Sequence, residues 1–303
     1  MEHYPVMWRE ALEWLAPRPG SVWIDATCGL GGHSLLLAAL PETARVISLD
    51  RDAESLERAR VRAAEKGLLE RITFRHSRFS ELRATLDALA CGPADGLLCD
   101  LGVSRWQLTD PERGFSFQEP GPLDMRMDRT EELTAADLVN RASEQELSDL
   151  FYQLAEERRA PRKLAKALVR ARPFRDTRQL AEVVASVVPR TGKLHPATRI
   201  FQALRMAVNR EPEELDALLA QGADCLKPGG RWVVIAFQSL DDRKVKQAFR
   251  QLGREGRARI LTRHVVKPGE QEIRENAASR SAVLRALEIC QGPAGAPSGG
   301  NDR

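Results

Sequence analysis

Apolar positions in the first hundred residues alternate between two patterns. Short, nearly continuous runs at Val22-Trp23-Ile24-Asp25, Arg45 to Asp50, Ile72-Thr73-Phe74 and Gly96 to Asp100 predict four strands. Between them, His33 to Leu40 and a segment carrying Leu56, Ala59 and Ala63 on one face predict helices. Strands this apolar, spaced by helices, predict a parallel α/β sheet covered on both faces. The pattern then breaks: residues 105 to about 130 hold Pro111, Gly114, Pro120, Gly121 and Pro122 and read as loop. Amphipathic helices follow. Ser143-Glu144-Gln145-Glu146 is a capping box ahead of Leu147, Leu150, Phe151 and Leu154. Thr177 is read as the cap of a helix whose apolar face is Leu180, Val183, Val184, Val187 and Val188.

This helical stretch reads as an insertion after strand four, ending near Pro189-Arg190-Thr191-Gly192. The α/β pattern resumes with a helix from Leu215 to Leu226, a Lys227-Pro228-Gly229-Gly230 turn and a fifth strand from Arg231 to Phe237. Two later β-prone runs, Arg259 to Thr262 and Ala282 to Leu287, predict an antiparallel pair at the sheet edge. The expected division is an α/β domain in two parts, residues 1–110 and 196–291, a helical insert at 111–195 and a frayed tail at 292–303.

With 43% hydrophobic and 29% charged residues in a chain of 303, disorder and fibrous classes are excluded. No apolar run approaches the roughly 18 residues of a membrane span. The start of the chain has neither a basic region nor an apolar one of the secretory kind, so the expectation is a cytoplasmic protein. Five scattered cysteines without a C-x-x-C, and five histidines without helical pairing, predict neither a disulfide framework nor a metal site. The net charge of +3 says little, but its distribution says more. Residues 158–178 hold nine basic side chains against Asp176, and 243–263 hold eight against Glu255. Such runs are read either as solvated helix faces or as phosphate-contacting surface.

The first strand leads into Asp25-Ala26-Thr27-Cys28-Gly29-Leu30-Gly31-Gly32-His33, a glycine-rich turn where open α/β sheets place ligands. A dinucleotide fingerprint would need a third glycine where Ser34 stands, which counts against a nicotinamide enzyme. Asp50 ends strand two, placed to accept from both ribose hydroxyls of a nucleoside, or else to cap the next helix, as Asp52 also could. Asp100 ends strand four, facing the middle of the cleft or capping a loop. No Gly-x-Ser-x-Gly elbow supports acyl transfer.

Longer blocks carry a specific resemblance. They are His3-Tyr4-Pro5-Val6, Asp25 to Ser34, Asp100-Leu101-Gly102-Val103-Ser104, Arg113-Gly114-Phe115-Ser116-Phe117 and Gly121-Pro122-Leu123-Asp124-Met125-Arg126-Met127-Asp128. Further on stand His195 to Arg205 with Val208-Asn209, and Phe237-Gln238-Ser239-Leu240-Asp241-Asp242-Arg243. In this order and spacing the chain resembles, almost end to end, the bacterial RsmH (MraW) family of small-subunit ribosomal RNA methyltransferases.

That resemblance implies a class I methyltransferase fold, a Rossmann-like sheet using S-adenosylmethionine (SAM). It also implies methylation of the exocyclic N4 of one cytidine in the decoding region of 16S rRNA, within the small ribosomal subunit. Carried over by position, Gly31, Gly32 and His33 would contact the methionine end of SAM, Asp50 the ribose, and Phe79 the adenine, with Asp100 and Gln107 completing the pocket. Read from the residues alone, Phe79 would be ordinary core. Asp100 is also the candidate catalytic acceptor for an N4 hydrogen. Trp106, Phe115 and Phe117 are candidate base-stacking groups, or else are buried under the insert. The chain departs from the family where Gln238 replaces a histidine, where Arg105 replaces a second serine, and where Glu211-Pro212 suggests a local break or a helix start. A mechanism that needs the missing imidazole does not carry over. Two other readings stand beside this one: a nicotinamide oxidoreductase and a catalytically silent RNA-binding protein.

Overall fold

The computed structural model describes residues 5–155, 160–190 and 195–290. The expected tail, His3-Tyr4 of the first block, and Arg158 and Arg159 of the first basic run lie outside the described residues. The chain divides into two compact units, one from residues 1–102 and 214–303, the other from 103–213.

The first unit begins α1 (Trp8–Leu15), β1 (Ser21–Asp25), α2 (Gly32–Ala39), β2 (Thr43–Asp50), α3 (Ala53–Glu65), β3 (Ile72–His76), α4 (Leu82–Ala88), β4 (Ala94–Asp100). After the second unit's α5 (Arg105–Thr109), α6 (Ala135–Arg141), α7 (Glu144–Leu154), α8 (Pro161–Ala171), α9 (Thr177–Val187) and α10 (Ala197–Val208), the division falls within α11 (Glu211–Gln221). The first unit then closes with β5 (Leu226–Ala236), α12 (Ser239–Arg254), β6 (Ala258–Ile260), α13 (Glu270–Glu275) and β7 (Val283–Ile289).

Seven strands form one sheet in the order β3-β2-β1-β4-β5-β7-β6, parallel except for β7, which runs antiparallel to both its neighbours. This bears out the expected Rossmann-like α/β sheet of the class I methyltransferase type, with the helical stretch entering after β4 and the late strand pair at the edge. The central strands alternate between two cores. Ile24, Ile47, Leu97 and Val234 pack on one face, and Trp23, Val46, Leu98 and Val233 on the other. Both sets are at most 1% exposed, which is why the runs read as continuously apolar rather than alternating. Asp52 caps α3 by accepting from the Glu54 and Ser55 amides, as one of the two sequence readings allowed.

Several elements differ from the sequence expectation. Strand five starts earlier, at Leu226, and takes in the Pro228-Gly229-Gly230 turn as an irregularity in its pairing with β4. The helix expected from Leu215 begins at Glu211 with Pro212 in its first turn, where a missing N–H costs nothing. Helices α1, α10, α12 and α13 were not read from the pattern at all. In α12 the buried apolar residues are Val245, Phe249 and Leu252, a stripe diluted by many charges.

The second unit has its own core, built from Leu147, Phe151, Leu164, Leu168, Leu180 and Val184 with Ile200, Phe201 and Leu204. The capping box at Ser143 forms as expected, with Glu146 N–H donating to Ser143 Oγ at 3.2 Å and Ser143 N–H to Glu146 Oε2 at 2.7 Å. The sequence placed Ala197–Val208 in the α/β part; instead α10 packs on α6, α7 and α9, because its apolar stripe matches the helical core. The loop expected from residue 105 opens with a short helix, α5, capped by Ser104. Thr177 is not the cap of α9. Asp176 is, accepting from Gln179 N–H at 2.8 Å, while Thr177 Oγ1 donates to Glu119 O and accepts from Gly121 N–H.

Candidate functional site

Asp25, Asp50 and Asp100 end β1, β2 and β4, at the carboxyl edge where the strand order reverses. Ligands of open α/β sheets bind at this edge. The turn leaving β1 holds Gly29 at φ 50° and Gly31 at φ 80°, left-handed backbone that suits glycine. A Cβ on Gly31 would sit 3.1 Å from Ala59 Cβ, and one on Gly32 would sit 3.0 Å from Pro5 Cβ, so the turn is also closely packed. Gly31 is the N-cap of α2 and offers no side-chain cap, which leaves the first amides of that helix to a ligand or water.

A buried polar network holds this turn, and the sequence reading missed it. Asp25 is 0% exposed. Its Oδ1 accepts from Thr27 N–H at 3.1 Å and, more weakly, from the Thr27 hydroxyl at 3.4 Å. Its Oδ2 accepts from Ser34 Oγ at 2.6 Å, and Ser34 in turn accepts from Ser48 Oγ at 2.7 Å. Thr27 Oγ1 takes the Asp100 N–H at 2.6 Å. One buried carboxylate thus ties β1, α2, β2 and β4 together. Burial raises the Asp25 pKa, against the opposing pull of the His33 charge and the Ser34 and Thr27 hydrogen bonds. The serine in the third-glycine position, which counted against a dinucleotide fingerprint, is a working member of this network.

Asp50 accepts from Gly29 N–H at 2.6 Å through Oδ2 and from Asp52 N–H at 2.9 Å through Oδ1, so it also fixes the glycine turn. Burial pushes its pKa up to about 6 in spite of those two bonds. His33, in the first turn of α2, is 6% exposed, and its Nε2 lies 3.5 Å from Asp100 Oδ2. That distance is an ion-pair contact rather than a hydrogen bond. Burial lowers the His33 pKa, but the Asp100 and Asp25 carboxylates outweigh it and leave it raised. Both His33 Nε2 and Asp100 Oδ1 are buried atoms without a hydrogen-bond partner among the described residues. Leaving such groups unpaired costs about 1–3 kcal/mol each, so a polar ligand atom at either would be favoured.

Of the other residues named from the sequence, Phe79 opens a short 3-10 turn after β3 and packs, partly buried, against the core cluster of Leu82 and Leu86. Its carbonyl accepts from Gln221 Nε2 at 2.9 Å. Gln107 lies in the helical unit, where Oε1 accepts from Ser104 N–H at 2.9 Å as part of the α5 capping box. The structure therefore brings Gly31, Gly32, His33, Asp50 and Asp100 to one edge of the α/β unit, with Phe79 following the neighbouring strand. Gln238 precedes α12, its carbonyl accepting from Asp242 N–H.

The three candidate stacking aromatics separate. Phe115 is 6% exposed and belongs to the helical core, so the burial reading holds for it. Arg113 covers Trp106, with its guanidinium carbon 4.9 Å from the ring centre. Phe117 packs edge-on against Phe201 and beside His195, both at 4.9 Å. In the first basic run, Arg162, Lys163, Lys166 and Arg170 are exposed on α8. Arg172 is committed elsewhere: it donates to Val139 O at 2.7 Å and to Ala142 O, the last carbonyls of α6. Among the described residues no group of three or more His, Cys, Asp or Glu is arranged to hold a metal ion, and no helix is long and apolar enough to cross a membrane.

The model of the MraW methylase family matches residues 1–290. The ribosomal RNA small subunit methyltransferase H of Solibacter usitatus is 55% identical over 287 residues, covering 95% of this chain and 99% of that protein. The protein of the same name from Gloeobacter violaceus is 46% identical over 284 residues, covering 93% of this chain and 87% of its own.

Proposed function

The chain belongs to the MraW methylase family, and we propose that this SAM-dependent methylase acts in the cytoplasm on the exocyclic N4 of one cytidine in the decoding region of small-subunit rRNA. The observation that carries the reading is that buried His33 Nε2 and Asp100 Oδ1, beside the Gly31-Gly32 turn, have no hydrogen-bond partner among the described residues. Membership in a methylase family removes the nicotinamide alternative. A silent RNA-binding protein would have no use for polar atoms left unpaired at the carboxyl edge of the sheet.

The residues present fit SAM. The open amides of α2 and the Gly31-Gly32 backbone would take the methionine carboxylate, with His33 beside it. Asp50, already fixed by two amides, keeps acceptor capacity for the ribose hydroxyls. Phe79, in the short turn that follows β3, would lie against the adenine.

The sulfonium of the bound donor supplies an electrophilic methyl carbon. The chain's task is to present cytosine N4, a weak nucleophile whose lone pair is delocalised into the ring. Holding N4 in line supplies much of the acceleration. Asp100 Oδ1 would accept an N4 hydrogen and localise that lone pair, while Oδ2 stays paired with His33. No imidazole stands where Gln238 is, so Gln238 can orient the base but not take its proton. The base must leave its stack to be reached.

The test is to incubate the purified protein with SAM and unmethylated small subunits and to digest the rRNA for mass spectrometry. N4-methylcytidine at a single position is the expected product. Methyl transfer to another base or atom would overturn the assignment.

A further inference from the structure

We infer that the solvent face of α12 is a second RNA-contacting surface, a cationic track that binds the phosphate backbone of the rRNA flanking the target base. This rests on the rRNA reading above and adds to it a surface on the α/β unit.

At 100° per residue, Val245, Phe249 and Leu252 share one face of α12, and all three are buried. Arg243, Lys246, Arg250 and Arg254 fall within an arc of about 80° on the opposite side. Gln247 and Gln251 are exposed beside them, and no acid shares that face. The acidic residues of the helix, Asp241 and Asp242, sit at its start, and Asp242 is held by Arg285 at 2.6 and 2.9 Å.

Other cations nearby are neutralised. Lys244 pairs with Asp216 at 2.6 Å, Arg257 with Asp224, and Arg259 with Glu288 at 2.9 Å. Arg243, Lys246, Arg250 and Arg254 have no carboxylate partner among the described residues. A protein that neutralises so many of its surface cations leaves this row bare. The row runs about 16 Å along the helix, enough for several consecutive phosphates.

A groove of about 460 Å³ lies beside its far end, lined by Arg250, Gly253, Arg254, Ala258 and Ile260, between α12 and the edge strand β6. The helix starts directly after the carboxyl end of β5, the edge that carries the candidate site. A phosphate track from there outward would hold the strand on which the target base lies. An anionic membrane is the competing partner for a basic amphipathic helix. The apolar face of α12 is spent in the core, however, leaving nothing to insert into lipid.

The test is the quadruple variant R243Q/K246Q/R250Q/R254Q, with R243K/R250K/R254K as a control that keeps the charge. Binding to a small-subunit rRNA fragment is measured by anisotropy across salt concentrations, with SAM affinity and circular dichroism alongside. The Gln variant should keep its fold and SAM affinity. It should lose RNA affinity, and its log K against log salt slope should flatten by about 0.7 to 0.9 for each phosphate released. The Lys control should keep the wild-type slope. An unchanged slope in the Gln variant, with wild-type RNA binding intact, overturns the inference alone. Wild-type protein that binds no small-subunit rRNA overturns the rRNA reading and this surface with it. Binding of wild type, but not the variant, to phosphatidylserine vesicles with no change in RNA binding would make α12 a membrane surface and overturn the inference too.

Discussion

His33 Nε2 stands 3.5 Å from Asp100 Oδ2, joining the first turn of α2 to the end of β4 through two side chains that are each otherwise underused. Neither residue is near the other in sequence. Their pairing joins the glycine-rich turn to the carboxyl end of β4.

That pairing is measurable. His33→Asn and Asp100→Asn, made singly and together, close a double-mutant cycle on SAM affinity with an expected coupling of about 1–2 kcal/mol. The sign with pH follows from the raised His33 pKa. The imidazolium is present below that value and disappears as pH rises through it, so the coupling should shrink on the alkaline side. Strictly additive effects at every pH would show that the two residues act independently.

Asp100→Asn keeps the side chain's size and removes its charge. Methyl transfer should fall by roughly 100-fold or more at saturating SAM if Oδ1 accepts from N4. Turnover that falls only in step with SAM occupancy would make Asp100 a binding residue and nothing more.

Asp50→Ala should weaken SAM binding by about 2 kcal/mol, since it strands ribose hydroxyls in a partly buried site. The pH profile is the sharper measurement. Burial pushes the Asp50 pKa up to about 6, and the ionised form is the one that accepts from two hydroxyls. Wild-type affinity should therefore be full above pH 6 and decline on acidification through it. Calorimetry on Asp50→Asn should show a weaker but flat profile over that window; the wild-type decline persisting in the variant would assign the titration to another group.

How much of this site the sequence showed depends on how local each feature is. Asp50 and Asp100 were legible because a lone acid ending an apolar run marks a strand's carboxyl end. The Asp25-Ser34-Ser48 chain was not, because it exists only once register sets Asp25 beside Ser48. Ser34 looked like a flaw in a glycine motif and is a hydrogen-bond donor to a buried carboxylate. Helix α10 was not read from the sequence, nor was its place in the helical core, since an amphipathic stripe does not say which partner covers it. Some blocks that carry the resemblance are architectural. Asn209 Oδ1 accepts from Met127 N–H, and its amide donates to Met125 O, both at 2.7 Å, fastening the Gly121–Asp128 segment to α10. Such residues identify a family without touching its chemistry.

Thr27→Val tests the network behind the site. Thr27 Oγ1 is the acceptor for Asp100 N–H at 2.6 Å, and a methyl there leaves that amide unpaired. Stability should fall by about 1–3 kcal/mol in urea melts. Methyl transfer should fall further than SAM affinity, because Asp100 would lose its anchor while the glycine turn keeps Asp50. Equal losses in both would make Thr27 a general stabiliser of the fold.

The basic run on α8 separates into two kinds of arginine. Arg162, Lys163, Lys166 and Arg170 are exposed on one side of a helix whose other side, Leu164, Ala165 and Leu168, is fully buried. Arg172 reads the same in sequence, yet its guanidinium satisfies the last carbonyls of α6, where the helix dipole also favours a cation. Arg172→Gln should therefore cost about 1.5–3 kcal/mol of stability and leave the salt dependence of RNA binding alone. R162Q/K163Q/K166Q/R170Q should do the reverse if this face tracks phosphates. The fold and SAM affinity should hold, and the log K against log salt slope should flatten by about 0.7 to 0.9 for each phosphate no longer neutralised. A solvated face would show only the small screening effect of distant charge. Running both variants in one titration series decides between the two readings of the run, because a slope unchanged in the quadruple variant removes α8 from the RNA path whatever happens to Arg172.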